Sequence, residues 1–150
     1  GCILPFVPRA QEIYGDAMKP LSALTKIIAQ NSTVHACSTY LMEEKEWDFT
    51  AIYYDMIDKL CHGFMKYHPP KLPPVPQNMY DYYNGVVEGV YRFQDMMLEK
   101  TLSYCDEDTT VLIMSDHGFV SDNNRILKMP KISAAPALDH REFGIFGKIL

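Results

Sequence analysis

No run of apolar residues in this sequence approaches the roughly 20 that a membrane-spanning helix needs. We therefore expect no membrane segment, and the first residues do not have the features of a secretory signal peptide. An excess of positive charge is also missing, because the formal net charge is -5. The sequence thus lacks the basic surface with which nucleic-acid-binding proteins usually contact phosphates, which argues against a general nucleic-acid binder and leaves a small-molecule ligand open.

Closely spaced cysteines are absent as well. Cys2, Cys37, Cys61 and Cys105 are far apart along the chain and form no C-x-x-C motif of the zinc-binding or redox type. A few scattered cysteines in a chain of this length are typical of free thiols. We therefore expect a reducing compartment and a cytoplasmic location.

Apolar residues are plentiful, at 47% of the 150 residues, so the chain can bury a core. Two short segments are rich in aromatic and β-branched residues, Trp47–Met56 (WDFTAIYYDM) and Thr109–Ser115 (TTVLIMS), and each is typical of a strand buried on both faces. A third apolar run, Phe143–Phe146, predicts another strand. The proline-rich stretch Pro69–Pro76 predicts an extended loop.

Apolar residues at helical spacing predict helices in three other segments of the chain. This spacing predicts helices over Pro20–Gln30 and over Ser32–Glu44, with a break at Asn31 and Ser32. A stripe at steps of three and four residues predicts one long helix from Asn78 to about Cys105; its members are Met79, Tyr83, Val86, Val90, Phe93 and Met97. Helices that separate buried strands predict an α/β fold with a mostly parallel sheet flanked by helices.

Candidate ligands for a metal ion follow both strands, where α/β proteins usually bind their ligands. Asp58 and His62 come after the first strand at a four-residue spacing, which places them on one face of a helical turn. Asp116 and His117 come directly after the second strand, and Gly118 allows a sharp turn there. Oxygen and nitrogen ligands together suit Zn²⁺ or Mn²⁺. His140 and Arg141 precede the last strand, and a guanidinium can contact a phosphate through two parallel bonds.

These segments together resemble the type I phosphodiesterase/nucleotide pyrophosphatase family of the alkaline phosphatase superfamily. The resemblance rests on YYDMIDKLCHGF at 53–64, VLIMSDHGF at 111–119 and DHREFGIF at 139–146. It implies an alkaline-phosphatase-like fold and two divalent metal ions, for which Zn²⁺ is favoured and Mn²⁺ is the alternative. By resemblance, Asp58, His62 and His140 hold one ion, while Asp116 and His117 hold the other.

The resemblance also implies a nucleophilic Thr or Ser and a further Asp, each after a strand upstream of Asp58. The hydroxyls in that region, on Thr25, Thr33, Ser38 and Thr39, all lie in predicted helices. We therefore expect residues 1–150 to be a single α/β domain or an incomplete piece of a larger catalytic domain, without the nucleophile. An incomplete sheet would expose an apolar surface, through which the chain can self-associate.

The function implied is metal-dependent hydrolysis of a phosphodiester or nucleotide pyrophosphate by the parent enzyme. Sulfatases, phosphonate hydrolases and phosphomutases of the superfamily share the metal scaffold, so the substrate stays open. One alternative is a non-catalytic metal-binding or interaction module that keeps the fold. Another is an α/β domain in which the ligand-type residues are coincidental.

Overall fold

The computed structural model of the chain describes residues 3–119, and the regular secondary structure of this part is helical. Short 3-10 turns lead into the first helix and follow the second. The helices are α1 (Met18–Glu44), α2 (Met56–Phe64), α3 (Gln77–Tyr83) and α4 (Val86–Leu102). No helix in the described part of the chain combines the length and the apolar character needed to cross a membrane.

The predicted sheet is wrong for the part of the chain that the structure describes, because residues 3–119 contain no strand. A strand must satisfy its backbone hydrogen bonds on a neighbouring strand, and no such neighbour exists within 3–119. Apart from Met56, which is buried and begins α2, the two strand-like segments are irregular, and they carry strongly exposed apolar side chains: Phe49 is 84% exposed and Ile113 71% exposed. Their aromatic and β-branched composition indicated burial, but composition does not show whether a neighbouring strand is present to pair with them. The predicted strand at 143–146 lies outside the described residues.

Helix α1 is continuous where the sequence predicted two helices. Ser32, where the second helix was predicted to begin, is satisfied inside α1 because its hydroxyl donates to the carbonyl of Ile28 at 2.8 Å. Asn31 is 3% exposed, and its Nδ2 donates to the sulfur of Met97 on α4 at 3.5 Å. The local preference of Asn and Ser for helix ends is thus overridden by contacts with α4.

The long helix predicted from Asn78 is divided into α3 and α4, which meet at Asn84 and Gly85. The predicted apolar stripe is confirmed as the buried face of both helices; Tyr83, Val86, Val90 and Met97 are buried, and Met79 and Phe93 are partly buried. The predicted loop at Pro69–Pro76 is confirmed.

Helix α2 packs against α1 and α4 and is strongly amphipathic. Its inner face carries Met56, Leu60 and Phe64, all at most 3% exposed. Burial of such side chains is the main favourable contribution to folding, about 1.5–3 kcal/mol each. The opposite face of α2 carries Asp58 and His62, so the same packing that fixes α2 also directs these two side chains outward.

Candidate metal centre

Asp58 and His62 lie one turn apart on the outer face of α2, as their spacing predicted. His62 Nε2 is 3.3 Å from Asp58 Oδ1. Asp58 is in the first turn of the helix, where the helix dipole favours a carboxylate, and His62 is in the last turn. The rigid backbone of α2 therefore holds a carboxylate oxygen and an imidazole nitrogen close together.

His117 completes a cluster with this pair. It lies in the irregular segment after Ser115, and its Nε2 is 3.3 Å from the same oxygen, Asp58 Oδ1. Two local bonds shape this segment: Ser115 Oγ donates to the carbonyl of His117 at 2.7 Å, and His117 Nδ1 is 3.2 Å from the carbonyl of Gly118. One ligand atom from each of Asp58, His62 and His117 lies within 4.8 Å of the other two.

The surroundings of Asp58 Oδ1 indicate that a cation would suit this cluster. The side chain as a whole is 46% exposed, yet this oxygen is buried and has no hydrogen-bond partner among the described residues. The two 3.3 Å approaches to the imidazoles are ion-pair distances without hydrogen-bond geometry. A carboxylate oxygen that faces two ring nitrogens in this way can be satisfied by a cation that all three atoms share.

The donor set fits a divalent transition metal. One carboxylate oxygen and two imidazole nitrogens are a common set for Zn²⁺ and also suit Mn²⁺. The side chains of His62 and His117 are 68% and 39% exposed, so the outer side of the cluster is open to solvent. Three protein ligands with an accessible fourth position are typical of catalytic zinc sites.

The structure groups the predicted ligands differently from the sequence. Asp58 and His62 lie together as expected, but their third neighbour in the described residues is His117, which was assigned to the other metal ion. Asp116 is exposed and is not a member of this cluster. His140 and Arg141 lie outside the described residues. The assignments of Asp116, His140 and Arg141 therefore stay predictions.

Phe119 is a member of the site that sequence reasoning missed. Its ring centroid is 5.1 Å from that of His62 and 5.2 Å from that of His117, at interplanar angles of 86° and 68°. The two imidazole rings are 6.3 Å apart. Phe119 is the last residue of the SDHGF segment. Its position directly after the predicted ligands is the sequence feature from which its place in the site could have been predicted.

Cys61 lies next to His62 in the sequence, but its side chain is part of the hydrophobic core. It is 1% exposed, and burial raises the pKa of its thiol, while a hydrogen bond with Tyr91 opposes this rise. A thiol with a raised pKa stays protonated at neutral pH, whereas metal ions bind the thiolate. Cys61 therefore belongs to the core and not to the ligand set.

The four hydroxyls weighed as nucleophiles are all engaged within α1. Each donates to the backbone carbonyl four residues earlier at 2.8–2.9 Å; they belong to Thr25, Thr33, Ser38 and Thr39. Hydroxyls held in this way point back along their own helix. None of these four is a member of the Asp58 cluster.

The sequence profile of one protein family covers this site. The family described as "Type I phosphodiesterase / nucleotide pyrophosphatase" matches residues 12–142, a range that includes every predicted metal ligand. No curated protein and no solved structure gives a significant match.

Proposed function

The chain belongs to the type I phosphodiesterase/nucleotide pyrophosphatase family, and on this basis we propose that it carries a metal centre for the hydrolysis of small phosphate esters. The family consists of hydrolases that act on phosphodiester and pyrophosphate bonds. The observation that supports the metal centre is the buried oxygen Asp58 Oδ1, which faces His62 and His117 without a hydrogen-bond partner in residues 3–119. Zn²⁺ is the favoured ion, with Mn²⁺ as the alternative.

Each residue of the centre has a definite part in this proposal. A divalent cation bound there supplies a Lewis acid that can stabilise negative charge on phosphate oxygens. Asp58 supplies the negative charge that offsets the cation, and His62 and His117 supply neutral nitrogen ligands. The carbonyl of Gly118 accepts the Nδ1 proton of His117, which leaves the Nε2 lone pair free to bind the ion. The exposed outer side of the cluster admits a phosphate ester.

We further propose that this chain alone turns over substrate slowly or not at all, because the parent enzyme supplies the nucleophile from elsewhere. The support is the state of the α1 hydroxyls, each of which donates to its own helix. A nucleophilic hydroxyl must instead be activated by an adjacent base or metal ion. A second metal ion belongs to the same proposal; Asp116 stays its predicted ligand in this chain, whereas His117 lies with Asp58 and His62.

A non-catalytic module is the second candidate. It would keep the Asp58–His62–His117 cluster and bind a metal ion, but it would contribute no reaction in any context. The open outer side of the cluster favours the hydrolase, since a purely structural metal site is normally closed by four protein ligands. A complementation experiment distinguishes the hydrolase from the non-catalytic module. The chain mixed with the remainder of its parent protein should hydrolyse a phosphodiester if it is part of a hydrolase, and should not if it is a non-catalytic module.

Two further expectations concern the surroundings of the protein. We propose a small phosphate ester or nucleotide as its ligand, since the net charge of -5 does not favour a polyanion.

We also propose a reducing, cytoplasmic compartment, and the free thiols of Cys37, Cys61 and Cys105 support it.

Metal binding by the purified chain is the first test. We expect saturable zinc binding that raises the melting temperature, because a ligand at about 100 times its Kd adds about 2.7 kcal/mol to the free energy of unfolding. Asp58→Asn and His117→Ala should each weaken zinc binding by about 100-fold or more, since even the loss of a group that only orients a ligand costs about 10- to 100-fold. Asp16→Asn is the matched control, because within residues 3–119 Asp16 pairs only with exposed Lys19.

The outcomes separate the two parts of the proposal. A chain that binds neither zinc nor manganese, and is stabilised by neither, contradicts the metal centre. Hydrolysis of bis(p-nitrophenyl) phosphate by the purified chain, lost in His117→Ala, contradicts the absence of a nucleophile but leaves the metal centre standing.

A further inference from the structure

We propose that Phe119 is a positioning residue that orders the imidazoles of His62 and His117 for metal binding. This inference rests on the proposed metal centre and extends it to a side chain that binds no ion. The ring of Phe119 packs against both imidazoles, at centroid distances of 5.1 and 5.2 Å. The two histidines come from different parts of the chain, and Phe119 is in contact with each of them.

His62 is the ligand that needs such a contact. Its side chain is 68% exposed on the outer face of α2, where an imidazole has little to restrict its rotation. His117 has a second anchor, because its Nδ1 bonds the carbonyl of Gly118. The described residues provide no hydrogen-bond partner of that kind for His62. A metal-binding histidine is normally oriented by such a partner, so a packed ring takes over this task for His62.

The geometry of the three rings suits this role. The angles of 86° and 68° between Phe119 and the two imidazoles are those of edge-to-face contacts, which aromatic rings prefer at such distances. Phe119 is itself partly buried and packs against the apolar core. Phe119 can therefore fix the two imidazoles relative to the core, and because α2 is packed into the same core, also relative to α2.

A leucine at this position separates the role of the ring from simple filling of space. Phe119→Leu keeps an apolar side chain of similar bulk against the core but removes the flat aromatic face. Phe119→Tyr keeps the ring and serves as the conservative variant. Phe49→Leu is the matched control, because Phe49 is 84% exposed.

Zinc affinity, measured by competition with a chromogenic chelator, is the principal readout. We expect Phe119→Leu to weaken zinc binding about 10-fold, the lower end of the range for groups that orient a metal ligand. Phe119→Tyr should restore the wild-type affinity, and Phe49→Leu should leave it unchanged. Melting temperatures in EDTA show whether the metal-free variants remain equally stable. Wild-type zinc affinity in Phe119→Leu overturns the proposal.

Proton NMR of the metal-free protein provides a second readout that does not depend on zinc. An aromatic ring changes the chemical shifts of the protons close to it, so the resonances of the imidazole carbon-bound protons of His62 and His117 should move in Phe119→Leu. Unchanged imidazole resonances also overturn the proposal, because the ring then does not order these side chains. Wild-type protein that binds neither zinc nor manganese contradicts the metal centre itself, and this result is distinct from a failure confined to Phe119.

Discussion

His35 shows how a single partly buried side chain makes stability depend on pH. It lies on α1, where its Nδ1 is 2.9 Å from the hydroxyl of Tyr54, and Lys100 of α4 is the nearby charged group. Burial lowers the pKa of His35 below its ordinary value of 6.5, and the positive charge of Lys100 lowers this pKa further. Protonated His35 is therefore less favourable in the folded protein than in the unfolded chain.

The sign of the resulting pH dependence follows from proton binding. Below pH 6.5 the unfolded chain takes up the proton first, so the free energy of unfolding falls as the pH falls towards the lowered pKa. We expect the melting temperature of the wild type to drop more between pH 7.5 and 5.5 than that of His35→Gln, which can still bond Tyr54 but does not titrate. Circular dichroism melts in EDTA measure both slopes. Parallel slopes would show that His35 does not contribute.

At the site, the sequence predicted contacts within one helix better than contacts between distant segments. The spacing of Asp58 and His62 fixed their proximity as soon as a helix was assumed, and the structure has that helix. The approach of His117 to Asp58 depends on how the segment after α4 folds back, and no local pattern encodes that path. The place of Phe119 in the site could not be predicted from a pattern of metal-ligand residue types, because a phenylalanine contributes by packing.

Two glycines allow the packing of α2 and α4 to be tested at the level of the helix. Gly63 lies in α2, and a Cβ added there would meet no atom within 4 Å. In α4, a Cβ on Gly89 would lie 3.1 Å from Cδ1 of Phe6, which is 5% exposed and packs edge-on against Phe93. Phe6 therefore cannot move away easily.

We expect opposite effects from the same substitution at these two positions. Gly63→Ala should raise the free energy of unfolding by about 0.5–1 kcal/mol, because alanine favours the helix more than glycine does. In Gly89→Ala the same gain is outweighed by overpacking, which typically costs about 1–3 kcal/mol, so that variant should lose stability. Urea denaturation of both variants measures the difference. Equal shifts for the two would contradict the tight contact with Phe6.

The helices could be predicted because their apolar periodicity is local, whereas the strands could not. The stripe from Met79 to Met97 lies on the buried side of α3 and α4, although its division at Asn84 and Gly85 was missed. A strand depends on hydrogen bonds to a segment elsewhere in the chain, and aromatic or β-branched composition does not say whether that segment is present. This is why Trp47–Met56 and Thr109–Ser115 were assigned wrongly.

Over the whole molecule, the described surface includes one continuous apolar stretch. Val111, Leu112, Ile113 and Met114 are 47–79% exposed. We propose that this stretch promotes self-association, since monomeric proteins seldom expose contiguous apolar surface of this kind.

Replacing two of these residues tests the idea. We expect Leu112→Glu combined with Ile113→Lys to weaken self-association by at least about 10-fold, because burial of one such side chain is worth about 1.5–3 kcal/mol. Tyr40→Lys combined with Leu41→Glu makes the same type of change on the exposed face of α1 and is the matched control. Sedimentation velocity over a range of concentrations measures the association. Equal association of both double variants and the wild type would exclude this stretch as the contact.

The position of the metal centre along the chain has a consequence for folding. Asp58 belongs to a packed helix, whereas His117 belongs to an irregular segment that follows the last helix of the described part. A cation held by both would bind only when this segment lies against α2, so it would stabilise the folded arrangement by mass action. If the proposed centre binds its ion, metal loading and folding of the segment around His117 form one coupled equilibrium, and we expect metal removal to make that segment more open to proteases.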